Sequence, residues 1–136
     1  MATTRVFGKQ ETAAKIKTIT AATTLTSSDS GKVIILNAAA GKVVTLPSVA
    51  IAGFNVKVIV GAAFATTNFT VVAPTAKIQG GAIVNSTFVA GADENTISFV
   101  ASAETIGDYV TIVSDGTNFY VEGVGALAGS VTFTAV

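Results

Sequence analysis

An all-β domain is what this sequence predicts, on three observations. Val, Thr, Ile, Phe and Tyr dominate the ordered-looking stretches, and β-branched and aromatic side chains suit pleated strands better than helices. Apolar residues fall in short runs separated by Gly, Asn, Asp, Ser or Pro, without a sustained helical period. Two strand-like segments also flank an Asp115-Gly116 pair, the local chemistry of a hairpin. Many short strands with regular turn signals imply an antiparallel sandwich or a jelly-roll-like barrel. At 136 residues and 13.6 kDa there is material for one hydrophobic core.

Taken in order, residues 1–20 are expected to form an extended N-terminal arm ahead of a β-sandwich domain at 21–136. The arm lacks strand alternation. Residues 11–17 would make about two helical turns, which are marginal without packing. Strands are expected at 32–36 and 42–46, joined by a loose turn at residues 37–41, with Pro47 ending the second because it cannot donate to a ladder. Further strands are expected at 54–60, 69–72, 82–88 and 96–100. The run from Asp108 to Val121 gives strands at 109–114 and 119–122, with a hairpin turn at Asp115 and Gly116, since Gly tolerates the positive φ that tight turns demand. Alternation sends Tyr120 to the face opposite Phe119. The last strand is expected at 130–136. No strict internal repeat is found, although a strand-turn-strand rhythm recurs.

The chain contains no His, Cys or Trp, and only 8 basic and 8 acidic residues. General acid–base catalysis near neutral pH falls mostly to His or to tuned carboxylates, and nucleophilic and metal sites lean on Cys and His, so the composition argues against an enzyme. Without Cys there is no disulfide framework. Half the residues are hydrophobic and mean hydropathy is +0.66, so part of the apolar surface is expected to be buried between chains. No signal peptide is read at the N-terminus. The uncharged segment at 58–76 is interrupted by Thr, Asn and Pro, which fits strands with polar turns better than a membrane span.

Asp93-Glu94 reads as a solvated turn, and Asp108 and Asp115 suit hairpin ends, where Asp bonds nearby amides. Calcium needs oxygen ligands only, but Asp115, Asn118 and Glu122 do not form a ligand loop in sequence. Gly31-Lys32 lacks phosphate-loop spacing, since Val33 follows the lysine. One arginine and zero net charge argue against nucleic acid. No cofactor or metal is expected.

Charge is segregated along the chain. Every basic residue precedes Gln79, where only Glu11 and Asp29 oppose them, and all other acidic residues follow. Two readings stay open: strands from the halves pair within one domain and mix the charges, or a basic arm docks on an acidic neighbour. On the second reading Arg5, Phe7, Lys9, Lys15 and Lys17 are the contact residues.

The order of features carries a resemblance. Thr24-Leu25-Thr26 leads into Asp29-Ser30-Gly31-Lys32, then Thr45-Leu46-Pro47, Gly53-Phe54, Ile78-Gln79-Gly80, Gly107-Asp108-Tyr109-Val110 and the run Ser114 to Val121. Over residues 24–121 this resembles a β-rich module of tailed-phage virion proteins, found among head decoration (cement) proteins and tail-fibre domains. The resemblance implies a structural role on the virion surface, usually as a homotrimer, with no enzymatic residues to carry over. The size of the chain favours a decoration protein bound to the major capsid protein on the outer capsid surface and made in the host cytoplasm. A tail-fibre or neck β-domain, a carbohydrate-binding module for host attachment and a carboxylate glycosidase are the alternatives.

Overall fold

In the computed structural model, which describes residues 15–136, the short apolar runs form twelve strands. They are β1 (Ile16–Ile19), β2 (Thr23–Thr24), β3 (Val33–Leu36), β4 (Val43–Thr45), β5 (Asn55–Val60), β6 (Phe69–Val72), β7 (Ile78–Val84), β8 (Thr87–Glu94), β9 (Thr96–Phe99), β10 (Tyr109–Ser114), β11 (Phe119–Gly125) and β12 (Val131–Thr134). They assemble into a seven-stranded sheet, ordered β1-β3-β5-β10-β11-β7-β8, and a five-stranded sheet, ordered β12-β9-β6-β4-β2. The inner faces share one core in which Phe54, Phe69, Phe99 and Phe119 are fully buried. Phe64 stands edge-on to Phe69 with ring centroids 5.0 Å apart. The expected all-β, single-domain class is therefore the observed one.

Pairing differs from the expectation, because both sheets are mixed. From β1 to β6 the chain alternates between sheets. β1, β3 and β5 pair parallel in one, and β2, β4 and β6 pair parallel in the other. Parallel strands need a long crossover between them, usually a helix. Here the strand in the opposite sheet supplies it, so this half is a short two-sheet solenoid. The coils stack in register, as Ile19↔Leu36↔Val60 illustrates. The later half is mostly antiparallel: β10 pairs with β5 and β11, β9 with β6 and β12, and β7 with β8. Only β7–β11 is parallel there.

Three local expectations are corrected. Residues 37–41 are not a turn within one sheet, because β3 and β4 lie in different sheets. This segment crosses over and is zippered to the next coil by Ala65 N–H to Ala39 O and Gly41 N–H to Thr67 O. Gly41 is required, since a Cβ there would overlap the Asn68 backbone. The strand expected at 82–88 is broken by Asn85 and Ser86, at φ 49° and 65°, which form a two-residue turn between β7 and β8. Residues 16–19, assigned to the arm, form β1 and bury Ile19, so the domain begins before residue 20. Strand pairs β5–β10 and β6–β9 join the two halves of the chain within one domain, as the first charge reading expected.

The first coil is held by a buried ion cluster. Asp29 closes a single 3₁₀ turn (Ser27–Asp29), its carboxylate accepting the Thr26 N–H at 3.0 Å. Lys17 of β1 donates to it at 3.1 Å and Lys32, just ahead of β3, at 2.8 Å. Burial alone raises the Asp29 pKa, but the hydrogen bonds from Lys32, Thr26 and Lys17, with the charge of Lys17, outweigh it and hold the carboxyl at about 2. The folded value lies below the unfolded one, so this stability is present above the ordinary aspartate pKa and lost as pH falls through about 2. With both lysines partly exposed, the contribution is on the order of 1–2 kcal/mol. Asp29→Asn should lower stability by that order near neutral pH and flatten its acid dependence, measured by urea unfolding across the acid range.

Candidate interaction surface

Alternation along each strand leaves every second side chain of the seven-stranded sheet pointing away from the core. On β3 both outward positions are apolar, and β5, β10 and β11 each add apolar or aromatic ones, Ile59, Tyr109, Val113, Tyr120 and Val124, although the inward ones already fill the core. The register connects them across all seven strands: Thr18↔Ile35↔Ile59↔Tyr109↔Val124↔Ile83↔Phe88. Ile35, Ile59 and Tyr109 are half-buried, while Val124, Ile83 and Phe88 are 42%, 46% and 61% exposed. Four residues along the strands, on the same face, lies a second line, Asn55↔Val113↔Tyr120↔Gln79, in which Val113 and Tyr120 are also exposed.

Polar groups sit within this face. Val33↔Lys57↔Thr111↔Glu122 runs between the two lines, and the Lys57 ammonium stands 4.4 Å from the Tyr109 ring centroid. An open depression of about 230 Å³ lies over β3, β5 and β10, floored by Val33, Lys57, Asn55, Thr111 and Val113 and bordered by Lys32. The outer face of the five-stranded sheet is different. Its registers, Thr24↔Thr45↔Val72↔Thr96↔Thr134 and Val43↔Thr70↔Ser98↔Thr132, are mainly hydroxyl side chains. One outer face is suited to water and the other to a partner.

The hairpin expected at Asp115 and Gly116 is present, with residues 115–118 joining β10 to β11. Asp115 accepts the N–H groups of Thr117 and Asn118 at 2.8 Å each, and Gly116 has φ 94°. The Asn118 and Thr117 amides, aided by the Tyr120 hydroxyl, hold the Asp115 carboxyl below the usual range against a smaller opposing effect of desolvation. Tyr120 donates to Asp115 at 3.1 Å, so the turn fixes this ring at the rim of the apolar face, opposite buried Phe119.

Arg5, Phe7 and Lys9 lie outside the described residues. Lys15 is exposed at the head of β1, and the Lys17 ammonium engages Asp29 of its own chain. Ile35, Ile59, Val124, Ile83 and Phe88 were not singled out from sequence. Their signal was apolar residues on both faces of a strand, as in Val-Ile-Ile-Leu of β3 and the Val-Ile-Val end of β5.

The carboxylates are occupied separately. Asp93 accepts from Gln79 at 2.6 Å, and buried Asp108 accepts the amides of Thr105 and Ala126 at 2.9 and 3.0 Å. Among the described residues no three of His, Cys, Asp and Glu converge as a metal site, and no helix is long and apolar enough to cross a membrane. No protein-family model and no curated protein matches the chain.

Val124→Lys places a charge at the centre of the apolar line, where the strand position costs about 1 kcal/mol or less. The variant should keep a melting temperature close to that of the parent while binding much less of an apolar fluorescent dye.

Proposed function

We propose that this chain is a structural assembly protein, not an enzyme, and that it binds other protein subunits through the outer face of its seven-stranded sheet. The observation that carries this reading is the apolar line running from half-buried Ile35 to exposed Val124, Ile83 and Phe88. Burying apolar surface is worth about 25 cal/mol per Å², and a stable interface removes about 800 Å² per partner, an area that a face of this breadth is suited to provide. Polar groups within the line, chiefly Lys57, Glu122 and Thr111, set orientation more than affinity.

The resemblance to tailed-phage head decoration proteins supplies the assembly: the major capsid protein lattice on the outside of the virion, with the chain present as a homotrimer. A protein that binds assembled lattice but not its free subunits stabilises the lattice by mass action, through its own binding free energy. No cofactor takes part. Host attachment through a glycan is the second reading, favoured by the half-exposed Tyr120 with Asp115 and Asn118 at its hydroxyl.

Particles purified from producing cells test both. The chain should be seen on the capsid by imaging, and Val124→Lys should reduce its copies per particle at least tenfold. Absence from particles overturns the virion reading, and unchanged occupancy overturns the role of this face. Specific binding to a glycan array that is lost with Tyr120→Ala would favour attachment instead.

A further inference from the structure

The seven-stranded sheet ends at β8, and this edge is unlike the others. β2 has two residues and β1 and β12 four each, whereas β8 has eight. Natural edge strands are guarded by charge, proline, bulges or shortness. In β8 the stretch Phe88-Val89-Ala90-Gly91-Ala92 has none of these, and the bulge at Ile78/Gln79 and the positive φ of Asp93 come only after it.

The two-residue turn at Asn85-Ser86 fixes which backbone groups are free. Val84 and Thr87 close the hairpin as a hydrogen-bonded pair, so Thr87, Val89 and Gly91 point their amides at β7. Phe88, Ala90 and Ala92 then point theirs outward, and none of them makes a backbone hydrogen bond elsewhere among the described residues. All three are exposed. The Phe88 ring lies back over Gly81, where a Cβ would come within 2.7 Å of it, and this keeps the ring on the sheet face and off the edge.

We propose that β8 pairs antiparallel with β8 of a second copy of this chain, about a two-fold axis at Ala90. Phe88 then faces Ala92 of the second copy and Ala90 faces its own equivalent, all three at positions whose amides point outward. A large side chain opposes a small one at each end. Charge selects the orientation: parallel pairing would set Asp93 and Glu94 beside their own equivalents, whereas antiparallel pairing places the two acidic pairs at opposite ends, roughly 20 Å apart and beyond a Debye length. The result is one continuous sheet through both copies with the apolar face extended on one side. This two-fold contact is separate from a trimer contact and does not rest on the capsid reading.

The test uses the full chain in solution at micromolar concentration. Light scattering should give twice the 13.6 kDa chain mass. Ala90→Lys sets two ammonium groups across the axis and should raise the dimer dissociation constant on the order of a hundredfold, with unchanged far-UV circular dichroism. Because the chain has no cysteine, Ala90→Cys gives one thiol per copy, with Cα atoms about 5.5 Å apart across the axis, inside disulfide range. Mild oxidation should convert it to a covalent dimer, while Val113→Cys, on the sheet face, should not cross-link. A monomer mass for the parent chain, an assembly insensitive to Ala90→Lys, or equal cross-linking at both cysteines overturns the pairing and leaves the capsid reading standing.

Discussion

Every buried peptide group needs a hydrogen-bond partner, and a chain whose runs are too short and too β-branched for helices must find those partners between strands. In the half from β1 to β6 this requirement is met from coil to coil: β3 and β4 take their partners from the coil before and the coil after, and β5 and β6 pass the ladder on to β10 and β9. The alternation between sheets follows, because a parallel partner is reached only after the chain has crossed the molecule and returned. The shared core follows too, since both inner faces of the same coil converge on it. Asp29 acts at the point where this scheme is weakest, fastening the first coil to the second through Lys17 and Lys32.

The two outer faces divide the surface by chemistry. Thr and Ser on the outer face of the five-stranded sheet keep β-propensity while presenting little apolar surface. The seven-stranded sheet carries an apolar line on its exterior, crossed by the polar row Lys57, Thr111 and Glu122. The hydroxyl of Tyr120, pinned by Asp115, gives the face a defined polar rim. Lys57 over Tyr109 softens the middle of the face without breaking its continuity.

Much of this was legible in the sequence. Strand class, the 109–114 and 69–72 strands and the hairpin at Asp115 follow from side-chain type and turn chemistry, which are local. Pairing direction was not legible, because alternation looks the same in a parallel ladder and an antiparallel one. Residues 82–88 misled for a related reason: Asn85-Ser86 lacks glycine, yet both residues adopt positive φ and split the run. The coil repeat escaped notice because loops of unequal length separate strands that stack. Of the interaction surface, the doubly apolar strands carried a signal, but their union into one line across seven strands depends on register, which no single strand encodes.

The coil construction also makes the height of the molecule a divisible quantity. β3 and β4, with the segment that joins them, form a unit in which Leu36 stacks between Ile19 and Val60, and Val44 between Thr23 and Val71. One more such unit would raise the solenoid by about 4.8 Å, one strand spacing, and leave the hairpin half and its free edge untouched. A protein built this way can alter its height in small steps while keeping the outer faces of its sheets.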